Sequence, residues 1–370
     1  MLIDNNSYTA IYRLFLLLIL SVIVASCGIF SSDSNDGLNV DEWLISESEV
    51  VDGGPGIDGI PAIDSPRFDN VQNVNSFRDD RRITGIRMGD KLIAYPHQIL
   101  DHHEIVNHEI DGEAVSVTFC PLTGTSVGAK RLIGGTTLEY GVSGLLYRNN
   151  LVMYDRNTGS VWSQMQMRSV GGEFSGTDIN HVQLIETSWA DWKAMYPDSE
   201  VLTTDTGFGR NYNIFVYGEG YTTNNNDILF PIRNEDDRLE RKNRVHTLLP
   251  SGANEESEVQ SYAFKDFGPE TTIHEDTFSG NNYLIVGNNE LSLMNSFRLE
   301  TEFEQNLEFT PLDLSELPAL MTDQHGNYWD AFGYALEGPD KGKQLTASRS
   351  FSGFWFAFAD FYPNVNLVRF

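Results

Sequence analysis

The sequence predicts an α+β fold made mostly of antiparallel strands, built as two similar halves packed into one pseudo-symmetric unit. Three observations carry that expectation. Short stretches such as AVSVTF at 114–119 and LVMYDR at 151–156 recur between turn residues, as strands with one buried face do. Two short helical segments interrupt them, PHQILDHHEIVN at 96–107 and SWADWKAMYP at 188–197. The arrangement then recurs. Tyr95 and Tyr262 lie 167 residues apart, as do Arg131 and Arg298, and Trp162 and Trp329. Asp155 and Asp323 differ by 168, and Pro197 and Pro363 by 166. An offset this constant predicts an internal duplication.

The N-terminus comes first in chain order. Residues 11–27, IYRLFLLLILSVIVASC, give one Arg, an apolar run and small residues before Cys27. The run is about half the roughly 20 residues a bilayer-spanning helix needs, so it reads as a signal-peptide core. Val24-Ala25-Ser26-Cys27 is similar to the bacterial lipobox, which predicts a lipoprotein signal peptide at 1–26 and lipidation of Cys27. The expected location is extracytoplasmic, with the protein held to a membrane through that lipid. The absence of Asp directly after Cys27 favours the outer membrane or cell surface.

A Ser/Asp/Gly/Asn-rich tether follows at 27–52. The segment 53–81 opens with GGPGIDG, too rich in Gly and Pro for a helix, and is expected as an extended arm laid over the domain. ITGIRMGDKLIAY at 83–95 reads as a hairpin turning at Gly89-Asp90. Pro96 opens the first helix. On that helix His102 and His103 flank the apolar face of Ile99 and Val106, while His97 and His108 are expected on the solvated side. Thr187 or Ser188 caps the second helix and Pro197 ends it. The first repeat spans 82–203, a connector rich in Asn and Asp spans 204–244, and a diverged second repeat spans 245–370. SGFWFAFADFYP at 352–363 aligns with SWADWKAMYP and is expected as a packed amphipathic helix.

Composition excludes some functions. With 40% hydrophobic and 12% aromatic residues the 370-residue chain can build a substantial core. Its formal net charge of −28 repels nucleic acid and anionic membrane, so no nucleic-acid partner is expected. Of its two cysteines, lipidation would consume Cys27 and leave Cys120 as the lone thiol. The recurrence separates scaffold from chemistry. Tyr95, Asp155, Trp162 and Pro197 recur and read as packing or turn residues. At the same offset Cys120 maps to Gly287 and His103 to Glu270, so a thiol–imidazole pair exists only in the first repeat.

Several stretches together resemble one family: GGPGIDGIPAIDSPRF at 53–68, HEIVN at 103–107, VTFCPLTGT at 117–125, GVSGLLYRNNLVMYDRNTGSVWSQ at 141–164 and SWADWKAMYPDSEVL at 188–202. They resemble the domain of unknown function 3179 family, strongly over about 50–210 and loosely beyond. The resemblance implies no established activity. It implies that His103, Glu104, Asn107, Cys120, Pro121, Gly124, Ser143, Asp155, Trp162 and Gln164 are characteristic positions. Thr123 stands where some relatives carry a second Cys, which puts any activity of a Cys pair in doubt here.

Three readings of Cys120 follow. In the first, the chain is a structural or scaffolding envelope module and Cys120 is buried and inert. In the second, Cys120 and His103, with His102, bind copper or zinc, metals suited to thiolate and imidazole. In the third, the chain is a Cys-His hydrolase or acyltransferase, with Cys120 as nucleophile and His103 as base. Amides of the Pro121–Thr125 loop would then stabilise an oxyanion. Glu104, Asn107, Thr123, Gly124, Thr125, Ser143 and Gln164 are the candidate binding residues around them. GVSGLLY and GFGRNY lack the strand-and-helix context of a nucleotide-binding loop.

Overall fold

The hairpin expected at Gly89-Asp90 is present: Arg82–Met88 and Lys91–Pro96 pair in antiparallel register across that turn. In the computed structural model, which describes Leu38 and residues 40–370, this hairpin forms the centre of the first sheet. Its strand order is Leu184–Ser188, Arg82–Met88, Lys91–Pro96, Glu200–Leu202 and Phe68–Asn70. Only the Glu200–Leu202 pairing with Lys91–Pro96 is parallel. A second sheet is formed by Asn180–Val182, Thr125–Lys130, Glu113–Cys120 and Ile105–Ile110. A third runs Val50–Asp52, Tyr140–Tyr147, Asn150–Asp155, Val161–Ser163 and Arg168–Gly171. From Phe68 the chain visits the three in turn, returns through Asn180–Val182 of the second to Leu184–Ser188 of the first, and reaches Glu200–Leu202 through the helix Trp189–Met195.

Residues beyond 243 follow the same itinerary. The order Ser350–Phe354, Arg244–Leu248, Val259–Ala263 and Val365–Val368 has the same succession of antiparallel, antiparallel and parallel pairings. Three strands between Thr272 and Arg298 and four between Phe309 and Glu337 complete the set. The α+β class, mostly antiparallel, is therefore observed. Residues 40–370 belong to one compact unit.

A small apolar cluster around Leu248, Tyr262, Phe267 and Ile285 lies within the second stretch alone, but the two larger clusters are shared. One apolar cluster joins Tyr140, Met153 and Trp162 to Val245, Phe351, Trp355 and Tyr362. The other joins Ile83, Tyr95 and Trp192 to Leu284, Leu293 and Trp329. The connector, with no helix or strand between 203 and 243, packs against both through Tyr212, Tyr221 and Leu239.

The local expectations meet mixed outcomes. Ser188 caps the helix Trp189–Met195, its hydroxyl accepting from the Asp191 N–H at 3.0 Å. Asp155 organises its turn by accepting from the Thr158 N–H at 2.7 Å, and takes the indole N–H of the buried Trp162 at 3.0 Å. The first helix is shorter than expected. It spans His97–His103, and Glu104 closes it in the left-handed region with φ +58°, donating to Leu100 O at 2.7 Å. The β-branched Ile105 and Val106 then join the strand Ile105–Ile110, where cross-strand pairing outweighs helical continuation. His108 consequently leaves the helix and is buried, its Nε2 2.6 Å from the Tyr95 hydroxyl. His97 is half-buried rather than solvated. The helix Trp355–Phe361 is buried on every side, not amphipathic. The signal peptide and Cys27 lie outside the described residues.

Candidate functional site

The turn between Glu113–Cys120 and Thr125–Lys130 is set by its own residues. Cys120 pairs with Thr125; Pro121 has no N–H to extend the ladder, and Gly124 turns the chain at φ +62°. The Gly124 N–H donates back to Cys120 O at 2.8 Å, so that amide is not available to an oxyanion. The turn then docks on distant residues. Phe354 N–H donates to Thr123 O at 2.8 Å, and Arg244 Nη1 donates to Gly124 O at 3.1 Å.

Cys120 and His103 are not brought together as a hydrogen-bonded pair. The thiol is buried, directed at Asn149 O 3.8 Å away. Burial pushes it up to about 11, the Glu104 carboxyl adding to the shift, so it is protonated at neutral pH and is not an activated nucleophile. His103 Nδ1 lies 2.8 Å from Pro61 O and Nε2 lies 2.7 Å from the Tyr212 hydroxyl. Both nitrogens are occupied, and burial pushes the imidazole down to about 4. His102 faces the Ile214 carbonyl through Nε2 at 3.2 Å. Among the described residues, no three His, Cys, Asp or Glu side chains are arranged to hold a metal ion.

Most of the other candidate residues brace the interior. Thr125 donates to Gln164 Oε1 at 2.7 Å, Gln164 Nε2 donates to the Thr118 hydroxyl at 3.0 Å, and Asn150 Nδ2 donates to the Thr123 hydroxyl at 2.9 Å. All five are fully or almost fully buried, a network that fixes the third sheet against the Cys120 turn. Asn107 donates to Asp64 Oδ1 at 2.7 Å and Tyr140 O at 2.8 Å, tying the extended arm to the sheets. Ser143 donates to Val152 O and accepts from the Leu145 N–H at 3.0 Å, across the register shift between Val142 and Leu145. Glu104 is buried with Asp101 nearby. Burial pushes each carboxyl up to about 8, and the charge of Asp101 adds to the shift of Glu104.

One candidate, Gly124, does line a cavity. Of ≈ 400 Å³, it lies between the Cys120 turn, the helix His97–His103 and residues 212–223 of the connector. Its floor carries Arg82 and Arg244, which meet at Glu186, a set that sequence reasoning missed. Arg244 Nη2 is 2.5 Å from Glu186 Oε2, and Arg82 Nη1 is 3.9 Å from the same oxygen. The Glu186 and Arg244 side chains are 5% and 10% exposed. Two guanidinium groups thus share one carboxylate; Arg82, 27% exposed, also donates to Ser292 O at 3.2 Å, and the buried Arg244 Nε has no partner. Burial and the charge of Arg244 push Arg82 down to about 9. His97 packs against Phe119 with ring centroids 4.2 Å apart and planes tilted by 37°. Burial first, then the two guanidinium groups, hold it well below its usual value and so neutral. At the rim Arg78 and Arg81 pair with Asp80 and Glu219.

Arg82 and Arg244 occupy matching places, each opening the strand that pairs with the one leading into an aromatic helix. They are 162 rather than 167 residues apart, because the second hairpin has a longer loop between its strands. A search at constant offset passes over them.

Comparison with known proteins gives one match. The family described as protein of unknown function (DUF3179) covers residues 57–365. No curated protein and no solved structure matches the chain.

Proposed function

Because the chain belongs to the DUF3179 family, whose members are of unknown function, we propose a role from the geometry: binding of a small anionic ligand in the cavity beneath the Cys120 turn. The observation that carries it is the pair Arg82 and Arg244 over the single carboxylate of Glu186. Burying an uncompensated charge is costly, and an incoming anion would supply the missing partner and the acceptor that Arg244 Nε lacks. That such a basic floor persists in a chain of net charge −28 favours recognition over general electrostatics. In this reading Cys120 is a packing residue whose turn forms one wall.

The test is thermal unfolding of the full-length chain in mild detergent with millimolar acetate, phenylacetate, malonate, phosphate or sulfate. At least one anion should raise the melting temperature in proportion to the logarithm of its concentration, as linkage requires. Arg82→Gln should abolish the rise. No stabilisation by any of the five would remove the reading.

The location is also proposed rather than observed: an extracytoplasmic lipoprotein anchored through Cys27. Incorporation of labelled palmitate, absent in Cys27→Ala, is the expected result. The matching order of the sheets and the Trp–Asp pairs Trp162–Asp155 and Trp329–Asp323 support the proposal that the two halves arose by duplication.

A further inference from the structure

Resting on the anion-binding reading, we propose that the ligand class is an aromatic monocarboxylate, and that the cavity discriminates against dianions of the same shape.

The charge count sets the first half of this inference. Four guanidinium groups border the cavity, those of Arg78, Arg81, Arg82 and Arg244. Asp80 and Glu219 engage the first two at the rim, at 2.6 and 2.7 Å. Glu186 answers for one of the other two. One positive charge remains, at the partly buried floor, and a single carboxylate neutralises it. A phosphate monoester near neutral pH carries closer to two charges. Its second charge would be placed in a desolvated wall beside Asp101, which is buried among the cavity-lining residues. Among the described residues no donor reaches the Asp101 carboxyl, and burial favours its protonated form. It can therefore donate to one oxygen of a bound anion but supplies no positive charge to neutralise a second.

The walls set the second half. Phe119 lies against His97 on one side, and Phe354 stands 5.8 Å from the Arg244 guanidinium on another. Phe215 lies 5.2 Å from the Arg81 guanidinium on the connector side. Three aromatic faces around a cavity at the small end of the ligand-pocket range accept a flat apolar body better than a hydrated one. The planar fork of an arginine matches a carboxylate in two points, which orients the acid toward the floor and the ring toward the phenylalanines.

Titration calorimetry of the full-length chain in mild detergent at pH 7 tests this with four probes: phenylacetate, acetate, phenyl phosphate and phenylacetamide. Phenylacetate should bind one to one, with each of the others at least tenfold weaker. Arg244→Gln should lose phenylacetate binding. Should that variant fail to fold, the ranking of the four probes on the unmutated chain still decides. Phenyl phosphate binding as tightly as phenylacetate would overturn the selection for monoanions while leaving anion binding intact. Acetate binding as tightly would overturn the aromatic part, and phenylacetamide binding as tightly would overturn the role of charge. No heat from any probe, with the thermal shifts also absent, would remove both readings.

Discussion

Asp101 shows how an ordinary residue changes character when the chain closes over it. In the sequence it is one acid among 53. In the fold it is buried at the cavity wall, and burial raises its pKa to about 8. The native state therefore keeps a proton that the unfolded chain releases above about pH 4. Between those values the native state binds more protons, so stability falls as pH rises from about 4 to about 8 and then levels off. Asp101→Asn removes that dependence. The variant should be more stable than the unmutated chain at pH 8, with the difference shrinking toward pH 4, as read from urea midpoints at the two pH values. A difference that does not change with pH would show that Asp101 is ionised in the fold. Cys120 illustrates the same rule. Its residue type and neighbouring His103 suggested chemistry, yet burial and the prior engagement of both imidazole nitrogens leave a protonated thiol.

At the scale of elements, the Cys120 turn is where local and distant constraints coincide. Gly124 needs its positive φ for the turn itself, and a Cβ there would lie 2.9 Å from the Phe354 ring and 3.1 Å from Arg244 Nη1. Gly112 turns its hairpin at φ +82° with nothing within 4 Å of an added Cβ. Gly112→Ala should therefore cost only the backbone strain, about 1–2 kcal/mol. Gly124→Ala should cost about 1–3 kcal/mol more from overpacking, and should displace the cavity floor as well. Denaturant unfolding of the two variants side by side measures the gap, and equal losses would mean that the turn does not press on Phe354. Elements governed by local signals were legible in advance. The Gly89-Asp90 hairpin, the Ser188 cap and the Asp155 turn depend on residues within a few positions of each other. The first helix ends earlier than its periodicity predicts because its end depends on Ile105–Ile110 finding the strand Glu113–Cys120, a pairing that helical periodicity cannot anticipate.

At the scale of the molecule, the two larger apolar clusters each draw on both halves and only a smaller third lies within the second half, so most of the core is shared. Hydrogen bonds reinforce this: the Tyr362 hydroxyl donates to Met165 O at 2.7 Å, and Arg349 Nη2 donates to Met167 O at 2.8 Å. Unfolding of the described unit should then be a single transition. Far-ultraviolet circular dichroism and tryptophan fluorescence should give coincident curves, since Trp162, Trp192, Trp329 and Trp355 report on both clusters. Two separated transitions would show that one half holds together without the other. The sequence by itself determined the α+β class, the hairpin and turn chemistry, the family and the excess of negative charge, because each is written in neighbouring residues, ordered motifs or a sum over the chain. Only the tertiary structure decided where the candidate site lies. Arg82, Glu186 and Arg244 are scattered over 163 positions and look like surface charges until packing removes them from water, and a charge acquires a function of this kind only once it is buried without enough partners.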